Sequence, residues 1–268
     1  MANDNKIAGA YQVSPATGYV GDIAPATAWK ILTEHKNAVL IDVRTRAEWN
    51  YVGLPDLDSL GRKPALLAVD LYNLVFRGGA VSPNDVAGRY PSSQGWFATR
   101  AIEPTQRLIA AARQAGLPIF FSTSDIRPNS KPPGANATKR RGPPPQPDDF
   151  EIHPAFPVEP SDVIVYKQRA SAFEGTPLSS HLKILGIESL IVCGEATSGC
   201  VRASVVDAYS TGLQVALVEE CTFDQTELTH NVNLFDLHHK YADVMSLAEV
   251  VAHLEAAHAA AAQRDDVA

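Results

Sequence analysis

The chain has 268 residues, 45% of them apolar, and a formal net charge of −7. That length and apolar share provide for one large α/β domain, or one domain with an extension. The acidic balance argues against a nucleic-acid or membrane-surface partner, and no apolar run reaches the ~18 residues that a bilayer span needs.

The opening "MANDNKIAGAYQ" lacks the basic and apolar parts of a secretory signal, so a cytoplasmic protein is expected. The three cysteines, Cys193, Cys200 and Cys221, fall in the last third and make an odd count, which reads as reduced thiols. Residues 1–15 read as a flexible start. Residues 16–62 hold a helix near "PATAWKILTEH", a strand "AVLIDV" (38–43) and then "RTRAEWNYVGLPD". From residue 63 short apolar runs alternate with helical patterns. The runs are "ALLAVD" (65–70), "LPIFFST" (117–123), "VIVYK" (163–167), "SLIVCG" (189–194) and "QVALVEE" (214–220). Helices are expected in "TRAIEPTQRLIAAARQAG", "PLSSHLKILG" and "CVRASVVDAYSTG", each stopping at a glycine (116, 186 and 212) as a left-handed cap requires. In the last of them Val201, Val205, Ala208 and Tyr209 recur at helical spacing and are expected to face the sheet. "TKRRGPPPQPDD" (138–149) is a loop, with Arg140 and Arg141 solvated, and the closing helix frays into a polar tail over 259–268. The alternation predicts a three-layer αβα fold, Rossmann-like with a mostly parallel sheet, over residues 63–258.

In such sheets ligands bind beyond the carboxyl ends of the strands. Three reactive side chains stand at such ends: Asp70 closes "ALLAVD", Lys167 closes "VIVYK", and Cys200 follows "SLIVCG" where a helix begins. Singly, the aspartate reads as a helix cap, the lysine as a solvated edge charge and the cysteine as a small core residue. Together they make a nucleophilic set. A helix N-terminus and a nearby ammonium lower a thiol pKa, and a carboxylate can take the thiol proton and return it to a leaving amine. Gly194 and Gly199 permit close backbone approach to a substrate, and N–H groups at the helix start form an oxyanion hole. The competing reading is an ordinary turn with Thr197 or Ser198 as N-cap.

From Lys63 to Val251 the chain resembles the isochorismatase-like cysteine hydrolases, in "ALLAVDLYN", "GLPIFFSTSD", "VIVYKQRASAFEGTPL" and "CGEATSGCVRASVVDAYSTG". "KQRASAF" and "TSGCVRA" are similar to the group holding N-carbamoylsarcosine amidase and maleamate amidohydrolase. The resemblance implies Cys200 as nucleophile, Asp70 as general base and then acid, and Lys167 as electrostatic partner. It also implies the N–H groups of Ala196 and Cys200 as oxyanion donors, with a cis peptide at Glu195–Ala196. The implied reaction cuts a C–N bond of a small linear amide or carbamoyl compound, releases ammonia and needs no cofactor. A homo-oligomer, dimer or tetramer, is implied too. Residues 16–62 resemble the opening of a rhodanese domain, but no cysteine precedes Cys193, so sulfur transfer is not expected there.

Two departures bear on the substrate. Nicotinamidases of the superfamily carry an Asp-x-His metal site, whereas "STSDIRPNS" has no histidine, so no metal is expected. Relatives acting on carboxylated substrates have Asp-Arg after the last core strand, whereas "CTFDQTEL" places Gln225 there, which removes a bidentate ionic clamp. A neutral substrate follows, unless Arg169 or Arg202 grips a carboxylate. Phe173 is expected to line the site; Trp96 and Phe97 read equally as pocket wall or core. His230, His238 and His239 lack helical ligand spacing and read as a polar helix face against another subunit. A vinyl-ether hydrolase, which works without the thiol, and a non-catalytic interaction protein using the rhodanese-like segment are the alternative functions.

Overall fold

The computed structural model describes residues 14–16, 19–22, 63–127, 146 and 148–265. The chain divides into two compact units, Met1–Gly53 and Leu54–Ala268. Within the first, β1 (Ser14–Ala16) and β2 (Tyr19–Asp22) form an antiparallel pair. The flexible start, the expected helix at 25–35, the strand at 38–43, the rest of the rhodanese-like stretch and the proline-rich loop up to residue 145 lie outside the described residues.

The second unit is built on six parallel strands: β3 (Pro64–Val69), β4 (Ile119–Ser124), β5 (Val163–Lys167), β6 (Ser189–Glu195), β7 (Gln214–Phe223) and β8 (Asp243–Met245). Their order is β5-β4-β3-β6-β7-β8. The helices are α1 (Asn73–Phe76), α2 (Pro83–Val86), α3 (Trp96–Gln114), α4 (Leu178–Leu185), α5 (Arg202–Ser210), α6 (Glu227–Lys240) and α7 (Leu247–Asp265).

Strand alternation sends β3 side chains to two cores. Leu66 and Ala68 join Leu108 and Ile109 of α3 and Val250 and Leu254 of α7. Ala65, Leu67 and Val69 join Leu182 of α4, Val205 of α5 and Leu234 and Leu237 of α6. Burial on both faces explains why these strands read as continuous apolar runs and not as alternating ones. The result is the expected three-layer αβα sandwich. None of the helices described is long and apolar enough to cross a membrane.

Gly186 caps α4 in the left-handed region at φ 66°, its N–H reaching the Leu182 and Lys183 carbonyls. α3 starts at Trp96, earlier than the pattern predicts, because Gly95 turns there at φ +55°, and a Cβ on it would stand 2.1 Å from the Val81 carbonyl oxygen. Tyr209 departs from expectation. Val201, Val205 and Ala208 are fully buried, but Tyr209 is half exposed and meets Tyr241 edge-on at the surface. It follows Ala208 by a single residue, about 100° around the helix, which carries it off the buried stripe.

The chain runs outward from β3 to β4 and β5, then returns to lay β6 on the other side of β3. That reversal opens a crevice at the carboxyl ends of β3 and β6. Beside it the β6–β7 register shifts, so that Val192 faces Leu217 but Gly194 faces Thr222. The irregularity lengthens β7 past its predicted end and brings Asp224 up to the crevice.

Candidate active site

Asp70 ends β3 in the left-handed region at φ 54°, a conformation that costs a non-glycine residue ~1 kcal/mol. Ser122, in register with Val69, holds it there: the Ser122 hydroxyl donates to Asp70 Oδ1 at 2.8 Å, and the Asp70 N–H donates to the Ser122 carbonyl at 3.1 Å. Asp70 is fully buried and Lys167 nearly so. Lys167 Nζ lies 2.7 Å from Asp70 Oδ2, 3.2 Å from Cys200 Sγ and 3.2 Å from the Arg169 carbonyl oxygen. An ammonium has three protons to give, and here it meets three acceptors. Three residues spread over the sequence thus meet at one point.

Cys200 sits in a π-turn, Thr197–Val201, ahead of α5 and not in its first turn, because Gly199 leaves helical geometry at φ −114°, ψ −107°. The peptide Glu195–Ala196 before the turn is cis. Neither Thr197 nor Ser198 caps the turn with its side chain. The Ser198 N–H donates to Asp224 Oδ2 at 2.7 Å, and Thr197 Oγ1 shares a hydrogen bond with His230 Nδ1 at 2.7 Å. The Ser204 hydroxyl donates to the Cys200 carbonyl at 2.7 Å and accepts the Ala172 N–H at 2.9 Å. Gly194, expected to make room for a substrate, makes room for protein. At φ +111° it lies against β3, where a Cβ would stand 1.9 Å from the Val69 carbonyl oxygen.

The electrostatics run against the lowering of the thiol pKa that the sequence suggests. Burial, then the Asp70 carboxylate, pushes the Cys200 thiol up to about 12, and Lys167 offsets only part of this. The resting centre therefore holds a protonated thiol beside the Asp70–Lys167 ion pair. Burial works against the Lys167 ammonium, but the Asp70 carboxylate, aided by the hydrogen bond to the Cys200 sulfur, outweighs it and holds its pKa above the ordinary value.

A second group of polar residues adjoins the first. Glu195, at the end of β6, is buried; Gln94 Nε2 donates to its Oε2, and the Tyr72 hydroxyl hydrogen-bonds the same carboxyl. Burial, with Asp70 adding to it, raises this carboxyl to about 8. Burial likewise pushes the Tyr72 phenol well above its ordinary value.

The remaining expected site residues are not drawn to this point. Arg169 is exposed and contributes its carbonyl, not its guanidinium. Arg202 is committed to α6, donating to Asp236 and Asn233. Gln225 is exposed, and its amide donates to the Pro91 carbonyl at 3.4 Å. Trp96 is 44% exposed against Phe97. Phe173 packs on the α4–α5 core and lines a cavity of about 220 Å³ with Leu182, Ile187 and Leu213. Ile187 and Leu213 precede β6 and β7, so that cavity belongs to the opposite end of the strands. Of the three histidines, His230 grips Thr197, whereas His238 Nδ1 accepts the Val244 N–H and His239 lies against Phe235. Sequence reasoning missed Ser122, Glu195, Tyr72, Gln94, Asp224 and His230. Glu195 and Asp224 carried a signal, as carboxylates just past a strand.

A buried aspartate and lysine from two strand ends, set against a cysteine on a strand-to-helix turn, point to a hydrolase of the thiol type built on a parallel αβα sheet. A sequence model described as the isochorismatase domain matches residues 64–249, and the chain belongs to the isochorismatase family. It is 32% identical over 200 residues to maleamate amidohydrolase of Pseudomonas putida, covering 72% of this chain and 88% of that protein. It is 32% identical over 203 residues to N-carbamoylsarcosine amidase of Arthrobacter sp, covering 73% of each. Among solved structures, an isochorismatase family protein of Burkholderia thailandensis superposes with a TM-score of 0.58 at 28% identity, covering 72% of this chain and 96% of that one.

Proposed function

We propose that this protein is a cysteine amidohydrolase that cuts the C–N bond of a small linear amide or carbamoyl compound and releases ammonia. The observation that carries the reading is the placement of Lys167 Nζ 2.7 Å from Asp70 Oδ2 and 3.2 Å from Cys200 Sγ. In the proposed cycle Asp70 takes the thiol proton as Cys200 attacks the carbonyl carbon. The ammonium of Lys167 stabilises the thiolate as it forms. The oxyanion is received by the N–H groups of Ala196 and Cys200. Asp70 then returns the proton to the leaving nitrogen, ammonia departs, and water hydrolyses the acyl-enzyme with Asp70 as base. Two curated relatives whose names record amide hydrolysis support this class of reaction.

The substrate reading favours a neutral group. Arg202 is tied to Asp236, Arg169 turns its side chain to the surface, and Gln225 offers no charge. Ammonia release from N-carbamoylsarcosine, maleamate and an uncharged carbamoyl compound tests both parts. Turnover with preference for the uncharged compound is expected; strong preference for the acids refutes the neutral reading, and no release from any linear amide refutes the activity.

Self-association belongs to the same proposal. α6 exposes Leu228, Val232 and Phe235 at helical spacing, and such an apolar stripe suits a second copy of the chain. Light scattering is expected to give a dimer or tetramer that Phe235→Glu dissociates; an unchanged mass excludes this face.

A further inference from the structure

Glu195 has no part in the cycle above, yet it is a buried carboxyl at the strand end beside the reacting groups. Val69 of β3 pairs with Gly194 of β6, so Asp70 and Glu195 follow in register on adjacent strands. Gln94, 2% exposed, and Tyr72, 8% exposed, both bond to the Glu195 carboxyl. Gln94 comes from the segment before α3 and Tyr72 from the segment after β3. One side chain therefore fastens two stretches of chain to the end of β6, where the cis peptide and the Cys200 turn begin.

The charges around it come from every neighbouring element. Asp70 of the β3 end, Asp224 of the β7 end and Cys200 of the turn bear on it as anions or latent anions, and Lys167 of β5 is the cation. Lys167 is already paired with Asp70 at 2.7 Å. Among the described residues no cation pairs with Glu195, and two adjacent buried carboxyls sharing a single ammonium do not both ionise readily.

We propose that Glu195 is a positioning residue that works as the uncharged acid, joining Gln94 and Tyr72 to the strand end and keeping a second negative charge away from the Cys200 thiol. Its carboxyl, raised to about 8 chiefly by burial, keeps its proton near neutral pH and loses it in mild alkali. The native state then binds a proton over a range where the unfolded chain does not. Stability from this group is full below the ordinary glutamate pKa and is lost as pH rises through about 8. Once ionised, Glu195 adds to burial and Asp70 in holding the thiol proton on. The inference rests on the reading of Cys200 as the reacting thiol.

The test compares wild type with Glu195→Gln, which keeps the shape and hydrogen bonds but cannot ionise, in two pH profiles. The first is the melting temperature; the second is the rate of Cys200 alkylation by iodoacetamide, with Cys200→Ala as blank, since Cys193 and Cys221 are fully buried. The variant's melting temperature is expected to gain on wild type by about 5 °C or more between pH 5 and pH 8. Alkylation is expected to agree within about twofold at pH 6.5 and to be about threefold or more faster in the variant at pH 9. A melting gap that does not change with pH overturns the uncharged acid. Superimposed alkylation profiles overturn the positioning role, as does a variant about tenfold slower at pH 6.5, which would mean that the ionised carboxylate is needed. If Glu195→Gln does not fold, Glu195→Ala carries the melting test with the same expected sign. Neither readout uses a substrate, so failure to find a hydrolysed amide leaves both in force.

Discussion

The two sides of the crevice present their groups in different ways. On the β3–β5 side, Asp70 and Lys167 stand directly on the ends of strands, and one hydroxyl, that of Ser122, completes the arrangement. On the β6 side, Cys200 rides on an irregular turn whose shape is imposed from elsewhere, by Asp224 on the Ser198 N–H and by His230 on Thr197. A strand end is fixed by the sheet ladder itself. A turn has no ladder, so its backbone donors take their partners from other elements. The first side is governed by burial of charge, the second by geometry, and substitutions on the two sides should fail differently.

The largest effect on turnover is expected from Cys200→Ala, which should lower ammonia release about 10³-fold or more while leaving the melting temperature within a few degrees of wild type. Lys167→Met breaks the comparison from the other side. It strands the Asp70 carboxylate in the interior and should cost about 3–5 kcal/mol in denaturant unfolding, most of which the double variant with Asp70→Asn should recover. Asp224→Ala removes the acceptor for the Ser198 N–H. It is expected to cost only about 1–2 kcal/mol of stability but to lower kcat about tenfold or more at nearly constant KM, since the thiol is displaced and binding is not. If Asp224→Ala instead lost stability without losing kcat, the turn would not depend on that contact. The smallest effect should come from Gln225→Arg, a surface change that adds a positive charge beside Asp224 and is expected, by steering alone, to raise kcat/KM for carboxylated substrates no more than about threefold and to leave neutral ones unchanged.

The same contrast explains what the sequence disclosed. "ALLAVD" and "VIVYK" are apolar runs whose last residues are charged, so strand, strand end and functional group coincide in a few letters, and Asp70 and Lys167 were legible. Cys200 was legible as well, through the glycine-bounded turn after "SLIVCG". Its proton was not: burial and the Asp70 carboxylate outweigh the neighbouring cation, a balance set by packing depth that no spacing encodes. The supports of the turn stayed hidden for a similar reason. Asp224 arrives through a register shift between β6 and β7, and His230 lies on a helix whose histidines carry no local pattern. Phe173, six residues after a β5 that was correctly delimited, was expected at the site because it follows Lys167 closely. Its side chain instead lines the cavity of Leu182, Ile187 and Leu213, although the Ala172 N–H next to it donates to Ser204 beside Cys200. Short elements such as β8, three residues long, gave too brief a pattern to read.

The most direct test of the convergence of Asp70, Lys167 and Cys200 is to mix the protein with an amide that it hydrolyses, quench with acid within the first turnovers, and map the adduct by mass spectrometry. An acyl or carbamoyl group on the peptide carrying Cys200, absent in Cys200→Ala, is the predicted result. Ammonia release that persists in Cys200→Ala, with no adduct on wild type, would contradict it.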